Sequence, residues 1–171
     1  MNPVKLKTPN KKLSDALSLS RLKNASIFGA LSDSGIQFLL DQGKLHTFEK
    51  DDEIFAYGDK GNSFYVVLEG ELEFYKQNDS KKRLTRSIYF GEAIGFVSMI
   101  ALHQRVGSLV AVKSGILVEI SSDVFSDFHD RHQFDFGILL MNLARDMGRT
   151  IRELSNALVE NDVAINKKSL K

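Results

Sequence analysis

The feature that most constrains the fold of this chain is a run of short β-type segments between Lys44 and Ile120. Leu45–Phe48, Glu53–Tyr57, Ser63–Leu68, Glu71–Lys76, Arg83–Tyr89, Leu109–Val112 and Ile116–Ile120 either alternate apolar with polar residues or are solidly apolar. Turn-forming clusters separate them: Asp51-Asp52, Gly58-Asp59-Lys60-Gly61-Asn62, Glu69-Gly70 and Gln77-Asn78-Asp79-Ser80. Short strands at close, regular spacing predict an antiparallel β-barrel or jelly roll. The hydrophobic content of 43% is enough to fill one such body with a proper core.

Helical patterns flank the strands, so the fold class is mainly β with flanking α. Ser32 is a good N-cap for a short helix through Leu40, with Gly43 as its stop. Ser121-Ser122-Asp123 caps a second, from about Val124 to Asp130. A longer helix runs from about Gln133 to Asn161. Its apolar residues Phe136, Leu140, Leu143, Met147, Ile151, Leu154 and Leu158 step by three and four, close to a heptad seam. A seam on a helix of roughly 42 Å can pack on the barrel and on a second copy of itself, giving a homodimer; packing on its own barrel alone is the plainer alternative. Residues 1–24 carry six basic side chains against Asp15 and read as a frayed leader, helical in part. Residues 25–161 form the domain, with the barrel at about 44–120 and the C-terminal helices at about 122–161. Residues 162–171 read as a disordered tail.

Composition excludes several classes of function. The absence of Cys rules out disulfides, thiol catalysis and Cys-based metal sites, and fits a cytoplasmic protein. The 23 basic and 22 acidic residues leave no global field to draw the chain onto nucleic acid. No apolar run approaches the length of a membrane span. About ten residues follow the long helix, too few for a DNA-binding domain. No nucleophile elbow, phosphate loop or pair of catalytic acids is legible, so an enzyme is not expected. His129 and His132 lie three apart beside Asp127 and Asp130, which reads as a solvated helix end rather than a metal site.

The order helix, barrel, short helix, long helix resembles the cyclic-nucleotide-binding domain family, which includes the bacterial catabolite activator proteins and the regulatory subunits of cyclic-AMP-dependent protein kinase. The residues that carry the likeness are Phe48–Phe55, although a Gly is usual where Asp51 stands; the glycine-punctuated stretch Tyr57–Glu73; Gly91-Glu92-Ala93-Ile94-Gly95; and Leu140–Met147 on the long helix. In the turns, Gly58, Gly61 and Gly70 sit where a positive φ can be demanded.

The resemblance implies a binding cassette between two strands, with a short helix, a Gly-Glu pair for the ribose and an Arg for the cyclic phosphate. Two registers fit: one puts Gly91-Glu92 at the Gly-Glu position, with Arg105 fourteen residues beyond Gly91, and the preferred one, which needs no insertion, puts Gly95-Phe96 there and Arg105 ten residues on. The ribose carboxylate is then replaced by Phe96, which accepts no hydrogen bond and whose bulk fills ribose space. The small hydroxyl residue after the Arg is Val106, followed by Gly107, with Ser108 nearby. The Thr-Ser pair that reads adenine in the catabolite activator group corresponds to Leu154 and Ser155. No cofactor is required, and cyclic AMP or cyclic GMP is expected to bind with weakened affinity. Arg105 captures an anion or, as a plain surface residue, pairs with an acid such as Glu92. His103, two residues before Arg105, adds a pH-sensitive donor or is merely exposed. Two functions follow: a sensor module that signals through helix movement or a dimer surface, or an interaction scaffold with a degenerate pocket and a protein partner.

Overall fold

The structure, a computed structural model, describes residues 18–78 and 81–162. Among these residues six antiparallel strands form one curled sheet: β1 (Lys44–Phe48), β2 (Glu53–Phe55), β3 (Ser63–Asn78), β4 (Lys81–Ile88), β5 (Ala93–Ile94) and β6 (Gly107–Ser121). The spatial order is β1-β6-β3-β4, with β2 also paired to β6 and β5 to β3. The expectation of an antiparallel barrel with flanking helices is met. Among the described residues the helices are α1 (Leu19–Leu22), α2 (Asp33–Gln42), α3 (Phe96–Ile100), α4 (Ser122–Arg131) and α5 (Gln133–Glu160).

The solidly apolar runs have a simple physical origin: the central strands are buried on both faces. Phe64, Val66 and Leu68 of β3 face the helices, while Tyr65 and Val67 face the barrel interior. On β6, Ile116, Val118 and Ile120 face the helices and Leu117 the interior. With no face left to solvent, the alternation that marks a half-buried strand disappears.

One expected turn is not a turn, and two pairs of expected strands are single strands. Ser63–Leu68 and Glu71–Lys76 are one strand, because both pair with β6 on either side of Glu69-Gly70. The register shifts there, and Gly70 has φ +94°, with a Cβ at that position only 2.8 Å from the Ser114 carbonyl oxygen. The glycine makes a bulge that bends the ribbon without reversing it. Likewise Leu109–Val112 and Ile116–Ile120 join into β6. Asp51 takes φ +71°, which explains why glycine is usual at that place in similar sequences: Asp is among the few side chains that tolerate the left-handed region.

The helices begin where the hydroxyl caps were read. Ser32 Oγ accepts from the Gly35 amide at 3.0 Å, and Ser121 Oγ from the Val124 amide at 3.2 Å. The leader is different at its end: Leu22 is fully buried, and Arg21 donates to the Leu68 carbonyl at 3.2 Å while lying over the Phe90 ring. Residues 18–24 are therefore part of the packed body. Residues 1–17 and the rest of the tail beyond Asp162 lie outside the described residues.

The long helix is held through its first half only. Asp135 accepts from the Ser32 amide at 2.8 Å and from Ser32 Oγ, and Asn142 Nδ2 donates to the carbonyls of Ile27 and Gly29. Leu139 and Leu143 sit in the core between sheet and helices. Beyond Met147 the helix has no buried residue.

One buried pair links β1 to β6. His46 Nε2 lies 2.7 Å from Glu119 Oε2. That hydrogen bond holds the Glu119 carboxyl below its ordinary value of 4.5, against the opposing pull of partial burial. A lowered carboxyl contributes stability that is complete above its ordinary value and is lost as pH falls through the lowered one. Glu119→Gln is therefore expected to flatten the acid limb of a Tm-against-pH curve below about pH 4.5. An unchanged acid limb contradicts the assignment.

Candidate functional site

A cavity of about 580 Å³ opens between the barrel and the free half of α5. Two stretches of chain make it. The cassette supplies Gly95, Phe96, Val97, Ser98, Arg105 and Val106, and α5 supplies Leu143, Asp146, Met147, Thr150, Ile151 and Leu154. Phe55, Phe74, Lys76, Thr85 and Arg86 complete the barrel wall.

The cassette starts at a forced turn. Gly95 has φ +91°, and a Cβ there meets Arg105 Nη1 at 2.5 Å, so both the conformation and the contact require glycine. The five-residue helix α3 follows, which residue patterning alone did not indicate but the resemblance implied. Phe96, only 4% exposed, packs edge-on against Phe64 and Phe125 at 5.7 and 5.8 Å between centroids. Phe125 in turn meets Phe136 of α5 at 4.8 Å. Phe96 is thus both a wall of the cavity and a link in a row of rings that joins sheet, cassette, α4 and α5.

Arg105 is 2% exposed. Its Nη1 donates to the Gly95 carbonyl at 2.8 Å, and its Nη2 to the Ser63 carbonyl at 2.7 Å and Ser63 Oγ at 3.2 Å. Its guanidinium lies over the rings of Phe55 and Tyr65, at 4.6 and 5.6 Å. Its backbone is strapped to the β2–β3 loop through Asp59 and Gly58. The Nε–H has no partner, and no ion pair among the described residues involves Arg105. Burial presses the guanidinium below the ordinary arginine value, and Tyr65 partly restores it. Glu119 and Asp59 also favour its charge, but from beyond ion-pair distance, so they offset the burial only in part.

The alternative of a surface Arg105 paired to Glu92 is overturned on both counts. Glu92 instead accepts from Arg86 at 3.4 Å and from the Tyr89 amide at 2.8 Å. Arg86 also grips Asp146 of α5 through two bonds of 3.2 and 3.1 Å, a clasp between β4 and the long helix at the cavity wall. Neither Arg86 nor Asp146 was legible as a site residue. They stand 60 residues apart, and each lacks a local motif.

Of the other candidates, Val106 and Leu154 line the cavity, and Leu154 is half exposed. Gly107 serves packing: a Cβ there meets the Tyr75 carbonyl at 2.3 Å and the Phe74 ring at 2.7 Å. Ser108 is buried and accepts from the Tyr57 amide at 3.2 Å. Ser155 is exposed and donates back to the Ile151 carbonyl, away from the cavity wall. His103 is exposed beside the Gln104 carbonyl. The seam on α5 is divided. Leu143 is buried in its own core, Met147 and Leu158 are half-buried, and Leu140, Ile151 and Leu154 are exposed. Among the described residues no cluster of His, Asp and Glu is fit to hold a metal, and no helix is long and apolar enough to cross a membrane.

Comparison with known proteins agrees with this architecture. The family described as cyclic nucleotide-binding domain matches residues 45–132. A cGMP-dependent protein kinase of Plasmodium berghei (strain Anka) is 34% identical over 73 residues, which are 43% of this chain and 8% of that kinase. The chain thus spans a small part of the length of the curated relatives it matches. The crystal structure of a cyclic nucleotide-binding domain from Methylobacillus flagellatus superposes with a TM-score of 0.75 at 19% identity, over 91% of this chain and 86% of that one. The regulatory subunit of a cAMP-independent protein kinase A from Trypanosoma brucei gives 0.66 at 20% identity, over 81% and 48%. At these identities the likeness to both structures is one of fold.

Proposed function

The chain belongs to the cyclic nucleotide-binding domain family, and from that premise we propose that it is a ligand-sensing regulatory module. A small organic anion enters the cavity and meets Arg105, and the free half of α5, which forms the opposite wall, changes position in response. The observation that carries this reading is Arg105 itself: a buried guanidinium in a cavity wall, with no acid at ion-pair distance among the described residues and an unpartnered Nε–H. An anion there offsets a charge that Glu119 and Asp59 compensate only from beyond ion-pair distance. The movement has a mechanical basis. α5 is pinned through Asp135, Asn142 and Asp146 but carries Met147, Thr150, Ile151 and Leu154 of the lining beyond the pins, so a ligand that favours one position of that half shifts its population.

Cyclic AMP and cyclic GMP are the first ligands to test. Loss of a carboxylate at position 96 removes a charge-assisted hydrogen bond of about 1.5–3 kcal/mol, which weakens a nucleotide roughly ten- to a hundred-fold. A thermal-shift titration to millimolar nucleotide is therefore expected to give a small rise in Tm that Arg105→Gln removes. A rise that persists in Arg105→Gln contradicts the reading. So does the absence of any rise both with these nucleotides and with the organic anion considered below.

A second reading treats Arg105 as a structural peg, since its two terminal nitrogens already donate to Gly95 and Ser63. The module is then a scaffold with a degenerate pocket, and the exposed apolar side of α5 carries a protein partner. Both readings accommodate a homodimer through α5, where Ile151 is 63% exposed. For that dimer, Ile151→Asp yields monomers by light scattering; an unchanged mass rejects the interface.

A further inference from the structure

The lining of the cavity narrows the ligand further, on the premise that the cavity senses an anion at all. A ribonucleotide presents hydroxyls and ring nitrogens along its whole length, and each needs a partner once water is excluded. This cavity offers few. At the position where a carboxylate for the ribose is expected stands Phe96, whose edge is engaged with Phe64 and Phe125. At the position expected to read the base stands Leu154, and Ser155 beside it faces away and is bonded to its own helix. Ser108 accepts from the Tyr57 amide and is not among the residues that line the cavity. Arg86 and Asp146 are consumed by each other. Thr85 donates to the Phe74 carbonyl. What remains is the buried guanidinium of Arg105 with Lys76, Ser98 and Thr150, in a wall that is otherwise mostly aromatic and aliphatic.

We infer that the preferred ligand is an amphipathic organic anion: a compact monoanionic head, such as a carboxylate, on an apolar body without hydrogen-bonding groups. The head lies against Arg105 where that side chain meets the cavity, beside Gly95 and Phe55. The body runs along Phe96, Val106 and Ile94 toward Met147, Ile151 and Leu154 of α5. A volume of about 580 Å³ is within the range of pockets that enclose a small organic molecule. The apolar body in contact with the free half of α5 buries hydrophobic surface that is now partly exposed there. The same contact that selects the ligand therefore also positions the helix.

The test is calorimetric titration of the full chain with dodecanoate below its micelle-forming concentration, with dodecanol and cyclic AMP titrated in parallel. Saturable dodecanoate binding is expected, at least tenfold tighter than either dodecanol or cyclic AMP. Arg105→Gln is expected to weaken it at least tenfold. Because Arg105 also supports the cassette, Leu154→Glu serves as a second variant: the position is half exposed, folding tolerates the change, and a carboxylate in the apolar wall repels the anion. Equal affinity for dodecanol and dodecanoate, or binding unmoved by both variants, overturns the inference. Cyclic AMP binding more tightly than dodecanoate, with loss in Arg105→Gln, overturns the ligand class and leaves the sensing role standing. Binding of neither anion overturns both.

Discussion

Phe64→Ala is expected to lower the unfolding free energy by about 3–5 kcal/mol, the usual range for a fully buried Phe cut back to alanine. Phe64 is 0% exposed and is the point where sheet, cassette and helices meet, edge-on to Phe96 at 5.7 Å and to Phe125 at 6.0 Å. Truncation therefore removes apolar burial and two aromatic contacts together, each contact contributing about 0.5–1.5 kcal/mol beyond area. In a domain of this size the melting temperature falls by roughly 2–4 °C per kcal/mol, so the drop is expected to exceed about 6 °C. Phe96→Leu is the contrasting variant. Phe96 borders the cavity, the swap keeps most of its volume, and the cost should stay below about 1.5 kcal/mol. Urea unfolding midpoints check both values. A Phe64→Ala loss under about 1.5 kcal/mol contradicts the row of rings as the structural joint of the cassette.

Asp135→Ala carries the second large effect, about 3 kcal/mol. Its buried carboxylate accepts from both the backbone amide and the hydroxyl of Ser32, and hydrogen bonds to a charged group are worth about 1.5–3 kcal/mol each. The close fit is visible at Gly35, where a Cβ meets the Asp135 carboxylate at 2.5 Å. Removing the carboxylate strips α2 of a capping partner and unpins the start of α5. Asp135→Asn keeps an acceptor for the Ser32 amide and is expected to cost less than half as much. Thermal unfolding reads the stability, and hydrogen exchange reads the place. Faster exchange should appear first in α2 and the opening turns of α5. A loss below about 1 kcal/mol, or one spread evenly over the barrel, contradicts this anchor.

The sequence carried the fold in its punctuation and the site in its motif, and each failed for a stated physical reason. Ser32 and Ser121 were legible as helix starts because a hydroxyl cap is local chemistry. Glu69-Gly70 was misread as a reversal because a glycine at positive φ serves a hairpin and a bulge equally; only the pairing of β6 across both halves decides between them. Leu22 escaped notice because its burial depends on docking against elements distant in sequence. At the site, Gly95, Phe96, Val106, Leu154 and Arg105 were found through register within a family pattern, and all five line the cavity. The register could not say that Gly107 and Ser108 serve packing and backbone rather than a ligand, since side-chain direction is set by where β6 begins. The Arg86–Asp146 clasp is tertiary from the outset, joining a strand to a helix with no spacing rule between them.

The central claim is that Arg105 receives the ligand's negative charge, and its side-chain nitrogen resonances report on that directly. With the protein labelled with nitrogen-15, the Arg105 Nε–H signal is followed by NMR through titrations with dodecanoate and with cyclic AMP. An Nε–H that has no partner in the free protein should move downfield and exchange more slowly with water as an anion lands on the guanidinium. The account predicts that shift at saturation with at least one of the two ligands, accompanied by changes in the backbone signals of α5 beyond Met147. A ligand that saturates the protein while the Arg105 signals stay where they are would contradict it.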